Sequence, residues 1–413
     1  MKLGYLKTIV ILLGLVGQDV WASLKITTWK TSKEASVYFV RAPEIPMVDV
    51  RLVFGAGSIR DGNKGGIAKT VNRLLLEGSG NLKAVQFKDK LALTGARLYT
   101  DSLREMASIS LRTVKDEDYL KDSVELLKLS ISKPRFDSQE LKRTIEEIRL
   151  EQQLKEQSLS ALADESLWRG IYRDHPYGNP PLGTYKSVGA LTRKDLKEFF
   201  DRYYVNKNVV IAIVGDLESS EAVRLAESIS VNMPIGERPD KVPEIPVGNV
   251  EKIIISKEST QTHIRLGQLG ISREDTDYFP LLVGNHVLGG NSLVSILFRE
   301  IREKRGLSYS TYSYFIPMSM RGPFVVGMQT ENRKKEEALD ILRNQLERFV
   351  AEGPSEEDLE LAKANLIKGF PNRIDSNQKI LGYLGMIGFY GLTITYLETF
   401  PEEIAKIRRI DVM

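Results

Sequence analysis

Met233-Pro234-Ile235-Gly236-Glu237-Arg238-Pro239-Asp240-Lys241-Val242-Pro243-Glu244-Ile245-Pro246 places four prolines in thirteen residues. A proline lacks the backbone N–H and fixes φ, so this run excludes helix and discourages a central strand. It reads as a stiff linker, taken as 233–248, between a domain at 23–232 and a second at 249–413. The length agrees, because single cores stop growing near ~250–300 residues and the chain has 413.

Outward from the linker, the two portions repeat one order of elements. In the first, Val48, Val50, Leu52 and Phe54 alternate along a strand, and a Gly-rich turn leads to a helix with Ile67, Val71, Leu74 and Leu75 on one face. In the second, a strand around Ile264-Arg265-Leu266 and a charged turn, Ser272-Arg273-Glu274-Asp275, lead to a helix from Tyr278 to Leu288. A strand over 106–112 ends at Thr113, before a helix bearing Leu120, Val124, Leu127 and Ile131; its counterpart over 324–329 ends at Thr330, before Leu339, Leu342, Leu346 and Phe349. Each of those helices is followed by a new one with a Ser N-cap and Glu just inside, at Ser138 and Ser355. Thr113 to Thr330 and Ser138 to Ser355 are both 217 positions apart. The expectation is an α+β fold of two homologous domains, each an antiparallel-rich sheet packed with helices.

At the N-terminus, Lys2 and Lys7 precede the apolar run 8–16, and Val20-Trp21-Ala22 offers a cleavage site, so residues 1–22 read as a secretory signal peptide. The run is shorter than the ~20 residues a membrane span needs. An exported, periplasmic protein without stable membrane insertion is expected, an uncleaved anchor being the alternative. There are no cysteines, so core burial alone must hold it. Fifty-eight basic residues against 55 acidic ones, mixed along helices, indicate no nucleic-acid partner.

Catalytic patterns are missing. His175, His263 and His286 lie far apart, whereas hydrolytic zinc sites commonly take two His at i, i+4 on one helix. No Gly-x-Ser-x-Gly elbow occurs, and cysteine chemistry is impossible.

Arg51-Leu52-Val53-Phe54-Gly55-Ala56-Gly57-Ser58 followed by Gly65-Gly66-Ile67-Ala68-Lys69-Thr70-Val71-Asn72-Arg73 resembles the zinc-site region of the pitrilysin/insulysin-type peptidases, the group containing mitochondrial processing peptidase. In active members that helix carries His-x-x-Glu-His; here the positions hold Lys69, Asn72 and Arg73. Two cations repel a dication, and an amide has no basic carboxylate to activate water. Leu141-Lys142-Arg143-Thr144-Ile145-Glu146-Glu147-Ile148-Arg149 is similar to the family helix giving the third zinc ligand, best matched by Glu147. Asp174-His175-Pro176-Tyr177-Gly178, Leu182-Gly183-Thr184 and Val209-Val210-Ile211-Ala212-Ile213-Val214-Gly215-Asp216 follow in family order, so the likeness spans nearly the whole mature chain.

The segment from Leu288-Gly289-Gly290 to Gly306-Leu307-Ser308-Tyr309 resembles the family's Arg/Tyr segment, in which an Arg and a Tyr seven residues later reach the substrate; Arg302 and Tyr309 have that spacing. Ile296 departs from the usual Arg. An Arg fork can clamp a carbonyl or carboxylate, and a phenol can donate to a developing oxyanion. By pattern alone, Arg302 belongs to a charged helix end paired with Glu300 and Glu303, and Tyr309 to a Tyr-rich strand. The resemblance implies half of a clam-shell: a non-catalytic, substrate-binding subunit acting on peptides outside the cytoplasm. It would supply Arg302 and Tyr309 in trans to a homologous partner that carries the zinc. The alternative is an inert structural or peptide-binding scaffold of the same fold.

Overall fold

A computed structural model describes residues 24–246 and 252–413. The expected signal peptide and the end of the expected linker lie outside the described residues.

The first half runs β1 (Thr27–Lys30), β2 (Ser36–Arg41), β3 (Met47–Phe54), α1 (Ile67–Leu74), a two-residue hairpin of β4 (Gly78–Ser79) and β5 (Leu82–Lys83), and α2 (Ala84–Leu93). It continues through β6 (Arg97–Ser102), β7 (Ala107–Val114), α3 (Glu117–Ser132), α4 (Ser138–Gln157), α5 (Leu159–Tyr172), α6 (Tyr185–Gly189), α7 (Arg193–Tyr203), β8 (Val209–Gly215) and α8 (Ser219–Ser230). The second half has β9 (Gln261–Leu269), α9 (Tyr278–Asn285), β10 (Ser308–Phe315), β11 (Pro323–Glu331) and α10 (Lys335–Glu352). It ends with α11 (Glu356–Lys368), α12 (Asn377–Tyr390), α13 (Tyr396–Lys406) and α14 (Arg409–Val412).

The first sheet is six-stranded, β1-β2-β8-β3-β7-β6, and only β2 with β8 is parallel. Val48, Val50, Leu52 and Phe54 face a core shared with Ile67, Val71 and Leu74 of α1 and Leu127 and Ile131 of α3. Its other face is covered by the second half, where Val40, Ala212 and Val214 pack against Leu366, Ile380, Leu384 and Ile387. Cover on both faces explains why Val209-Val210-Ile211-Ala212-Ile213-Val214-Gly215 reads as a continuous apolar run and is buried throughout.

The second sheet, β10-β11-β9, repeats the β6-β7-β3 part of the first. Thr113 and Thr330 are both penultimate in their strands; Thr113 pairs with Val48 and Thr330 with Thr262. Just beyond them, the Lys115 N–H donates to the Pro46 carbonyl at 2.8 Å, and the Asn332 N–H donates to that of Thr260 at 3.2 Å. The halves therefore share one local register, while the parts of the first sheet formed by β1, β2 and β8 have no strand counterparts among the described residues.

The halves also exchange helices. α5 packs on β9, and α12 packs on β2, β3 and β8. A glycine lies at each crossing where the approach is close: a Cβ on Gly267 would lie 2.9 Å from Leu167 Cδ1, and one on Gly388 would lie 2.4 Å from Val210 Cγ1.

Two local expectations shift. Ser355 caps α11 by accepting from the Asp358 N–H, but Asp137, not Ser138, occupies the α4 cap position and makes no side-chain cap bond. Arg135 holds the Asp137 carboxylate through Nε at 2.7 Å, turning it away from the helix N–H groups. The helix begun at Tyr278 is α-helical only to Asn285 and continues as a π-turn, His286–Gly290. The linker is strapped down: His175 Nδ1 accepts the Tyr177 N–H, so its Nε2–H donates to the Pro243 carbonyl at 3.0 Å. Val242 and Ile245 pack beside Tyr172 and Tyr177.

Candidate functional site

α1 is short, and its start is set by a buried carboxylate. Asp61 accepts the Gly66 N–H at 2.7 Å and the Ala68 N–H at 3.0 Å, satisfying two of the four donors a helix start leaves free. Burial pushes the Asp61 carboxyl up to about 7 despite those bonds. Gly66 takes φ +89, and a Cβ there would meet the Leu182 carbonyl oxygen at 2.7 Å.

Lys69, Asn72 and Arg73, which the resemblance sets at the motif positions, each meet partners within the chain. Lys69 lies 3.5 Å from the Ser102 carbonyl and 4.0 Å from Asp101; burial first, and Arg73 second, lower its pKa. Asn72 is buried and turned into the core, where Nδ2 donates to the Ser108 carbonyl at 3.1 Å and the Tyr204 hydroxyl at 3.3 Å. Tyr204 is itself buried against Phe54 and Phe200, and that burial raises its phenol. Arg73 pairs with Glu151 at 2.6 Å.

Glu147 is exposed on α4, one turn before Glu151. Its charge acts on Arg143, which is paired with Glu77 and Glu140. Glu151 lies one helical turn beyond Glu147 on the same face, a spacing that the sequence alone carries.

The donor set does not fit zinc. It offers an ammonium, a guanidinium and an amide whose nitrogen is spent on the core, and the nearby carboxylate of Glu151 is neutralised by Arg73. Among the described residues, no group of three or more His, Cys, Asp or Glu could hold a metal ion. The three histidines fall apart as expected, at a 3-10 turn, on β9 and at the end of α9.

Arg302 and Tyr309 come together. Phe298–Glu303 is a π-helical turn, and Gly306 at φ +58 leads the chain back into β10. The pairing of β10 with β11 slips between Ser308 and Thr311, so Tyr309 sits in a bulge and the residue is 81% exposed. The Arg302 guanidinium carbon lies 4.5 Å from the Tyr309 ring centre and 5.0 Å from that of Phe298, a cation–π arrangement. π-turns and bulges both recur at functional sites because they re-aim side chains.

The pattern-based pairing of Arg302 with Glu300 and Glu303 is overturned. Glu300 pairs with Lys304 at 2.5 Å and Arg305 at 2.7 Å, and Arg299 forms a two-pronged pair with Asp358 at 2.7 and 3.0 Å. Among the described residues Arg302 has no ion-pair partner, unlike the other cations of its segment. Tyr312 and Tyr314, by contrast, stack on each other and are half-buried. Ile296 packs at the margin of the core that links the halves.

Comparison with known proteins identifies the family. Residues 36–185 match the model of insulinase (peptidase family M16), and residues 190–366 match that of the peptidase M16 inactive domain. The crystal structure of a peptidase M16 inactive domain from Pseudomonas fluorescens is 35% identical, with a TM-score of 0.91 over 94% of this chain and 93% of that one. A non-peptidase homolog, YmxG, of Helicobacter pylori is 25% identical over 88% of this chain and 84% of its own length. An uncharacterized zinc protease of Mycobacterium leprae is 27% identical over 83% and 78%. The chain belongs to the peptidase M16 family, as an inactive member.

Proposed function

We propose that this chain is the non-catalytic, substrate-binding subunit of a two-chain zinc peptidase acting on peptides outside the cytoplasm. A homologous partner brings the zinc, and this chain brings Arg302 and Tyr309. The observation that carries the reading is the stacked pair itself: an exposed phenol on a bulge, beneath an arginine with no ion-pair partner among the described residues. A scaffold gains little from leaving such a cation unpaired beside three neutralised ones. The export signal read at residues 1–22 supports action outside the cytoplasm. Among the described residues no helix is long and apolar enough to cross a membrane.

Chemically, the guanidinium can hold a peptide carbonyl or carboxylate through its fork, and the phenol can donate one hydrogen bond to an oxyanion. The test is co-expression with a zinc-bearing homologue, followed by peptide cleavage assays. The pair should cleave and this chain alone should not. Tyr309→Phe should lower turnover by roughly 10²–10³-fold with assembly and zinc content unchanged. Full activity of Tyr309→Phe, or the absence of any zinc-bearing partner in pull-downs, would favour the inert scaffold.

A further inference from the structure

We infer that the face of the first sheet beside α12 is a docking surface for an acidic, extended peptide segment, held through its carboxylates by Arg51, Arg97 and Arg112.

Side-chain alternation sets this face. Val48, Val50, Leu52 and Phe54 of β3 point into the core, so Asp49 and Arg51 point the other way. Residues directly opposite on neighbouring strands share a face. Asp49 pairs with Arg112 of β7, which pairs with Arg97 of β6; Arg51 pairs with Ser110, which pairs with Tyr99. Two rows therefore cross the three strands, one of Asp-Arg-Arg and the next of Arg-Ser-Tyr. Two residues of strand separate them, about 6.6 Å.

The charges in these rows do not cancel. Arg97 and Arg112 stand directly opposite each other, with Cβ atoms about 5 Å apart, and like charges so placed destabilise a sheet unless an anion joins them. Asp49 answers Arg112 alone, at 3.2 Å. Among the described residues, Arg97 is exposed and makes no ion pair. Arg51 has none either, its Nη2 donating to Ser108 Oγ at 3.0 Å. The only carboxylate of β6, Asp101, lies 4.0 Å from the Lys69 ammonium.

α12 brings no counter-charge. It contains no acidic residue, and its one charged side chain, Lys379, is paired with Asp375 at 2.9 Å. Its first residue, Asn377, faces Asp49, so the positive end of the helix dipole adds to the field. The helix packs on β2, β3 and β8, while Arg97 and Tyr99 on β6 stay exposed. A Cβ on Gly385 would lie 3.0 Å from Val53 Cγ2, whereas one on Gly382, a turn earlier on the same side, would meet nothing within 4 Å, which leaves room beside the helix.

An extended chain turns every second side chain to one side, about 6.6–7 Å apart, which is the spacing of the rows. Carboxylates at i and i+2 can then reach the Arg97–Arg112 pair and Arg51, and a guanidinium fork suits a carboxylate. A peptide fits better than nucleic acid, because the patch is confined to two rows of a chain with 58 basic and 55 acidic residues.

The test uses the full chain without any zinc-bearing partner, so its outcome is separate from that of the cleavage assays. The probes are fluorescent peptides of alternating Thr and Glu, or Thr and Gln, followed by anisotropy. At about 0.05 M salt the Glu peptide should bind about tenfold more tightly or better, and the difference should shrink at about 0.5 M. Arg97→Thr and Arg51→Gln should each remove most of the difference, and Arg97→Thr should leave the thermal midpoint unchanged or raised, since a like-charge contact is relieved. Lys197→Ala, at a lysine paired with Asp201 on α7, should bind as the parent does. Equal binding of the two peptides, undiminished binding by both arginine variants, or a single-stranded oligonucleotide bound as tightly as the Glu peptide would overturn the proposal.

Discussion

Tyr390 of α12 donates its phenol hydrogen to Oε2 of Glu105 at 2.8 Å, joining the second half to the β6–β7 turn of the first. The same buried carboxylate accepts the Tyr177 phenol at 2.5 Å and the Ser319 N–H at 3.1 and 3.2 Å. One acceptor-only group thus gathers donors from three segments. Burial, and then the Glu105 charge, push both phenols above their ordinary range.

Glu105→Gln should therefore destabilise more than its size suggests. The amide places an NH₂ where only acceptors are wanted, and a buried unsatisfied donor costs roughly 1–3 kcal/mol. Tyr390→Phe should cost less, and the double variant should be less than additive by denaturant unfolding. Strict additivity would show that the two residues do not act as a unit.

Asp61 should leave a mark on the pH dependence of stability. Its folded pKa, about 7, lies above the ordinary 3.8, so the folded state holds the proton more tightly. The contribution is fully present below about pH 4 and is lost as pH rises through 7. Asp61→Asn should flatten the stability profile between those limits, at a cost of about 1 kcal/mol for one weakened N–H contact. Equal slopes in both proteins by chemical denaturation would remove Asp61 from the account.

The chain alone should bind no stoichiometric zinc and cleave no peptide, since Lys69 and Arg73 repel a dication. Elemental analysis showing one tightly held zinc per chain would overturn this. Arg73→His with Lys69→His and Asn72→Glu should also fold poorly, because Asn72 serves the core through Ser108 and Tyr204 and a carboxylate there would be buried unpaired.

Arg299→Ala and Arg302→Ala should separate by readout. Arg299 closes a two-pronged pair with Asp358, whose carboxyl it holds below the usual range, and its loss should lower stability by up to about 1 kcal/mol, the pair being partly exposed. Arg302→Ala should leave thermal stability nearly unchanged and lower cleavage by the reconstituted pair. A stability loss equal to that of Arg299→Ala would make Arg302 structural.

The sequence by itself determined the duplication, the antiparallel sheets with their helices and the loss of the metal motif. Side-chain alternation, helical spacing and the charges of Lys69 and Arg73 are local properties, read without knowing what lies across the fold. Its repeat even anticipated that Thr113 and Thr330 hold equivalent places, although the α4 cap position falls on Asp137, whose carboxylate Arg135 holds away from the helix N–H groups. Only the tertiary structure decided which charges are spent. Arg73 finds Glu151 and Arg299 finds Asp358 across packed helices, while Arg302, identical to them in chemistry, is left on an aromatic ring. The exchange of α5 and α12 and the gathering of donors on Glu105 arise likewise from contacts between segments far apart in the chain. No local periodicity encodes such contacts, because each depends on what the rest of the fold brings to the same place.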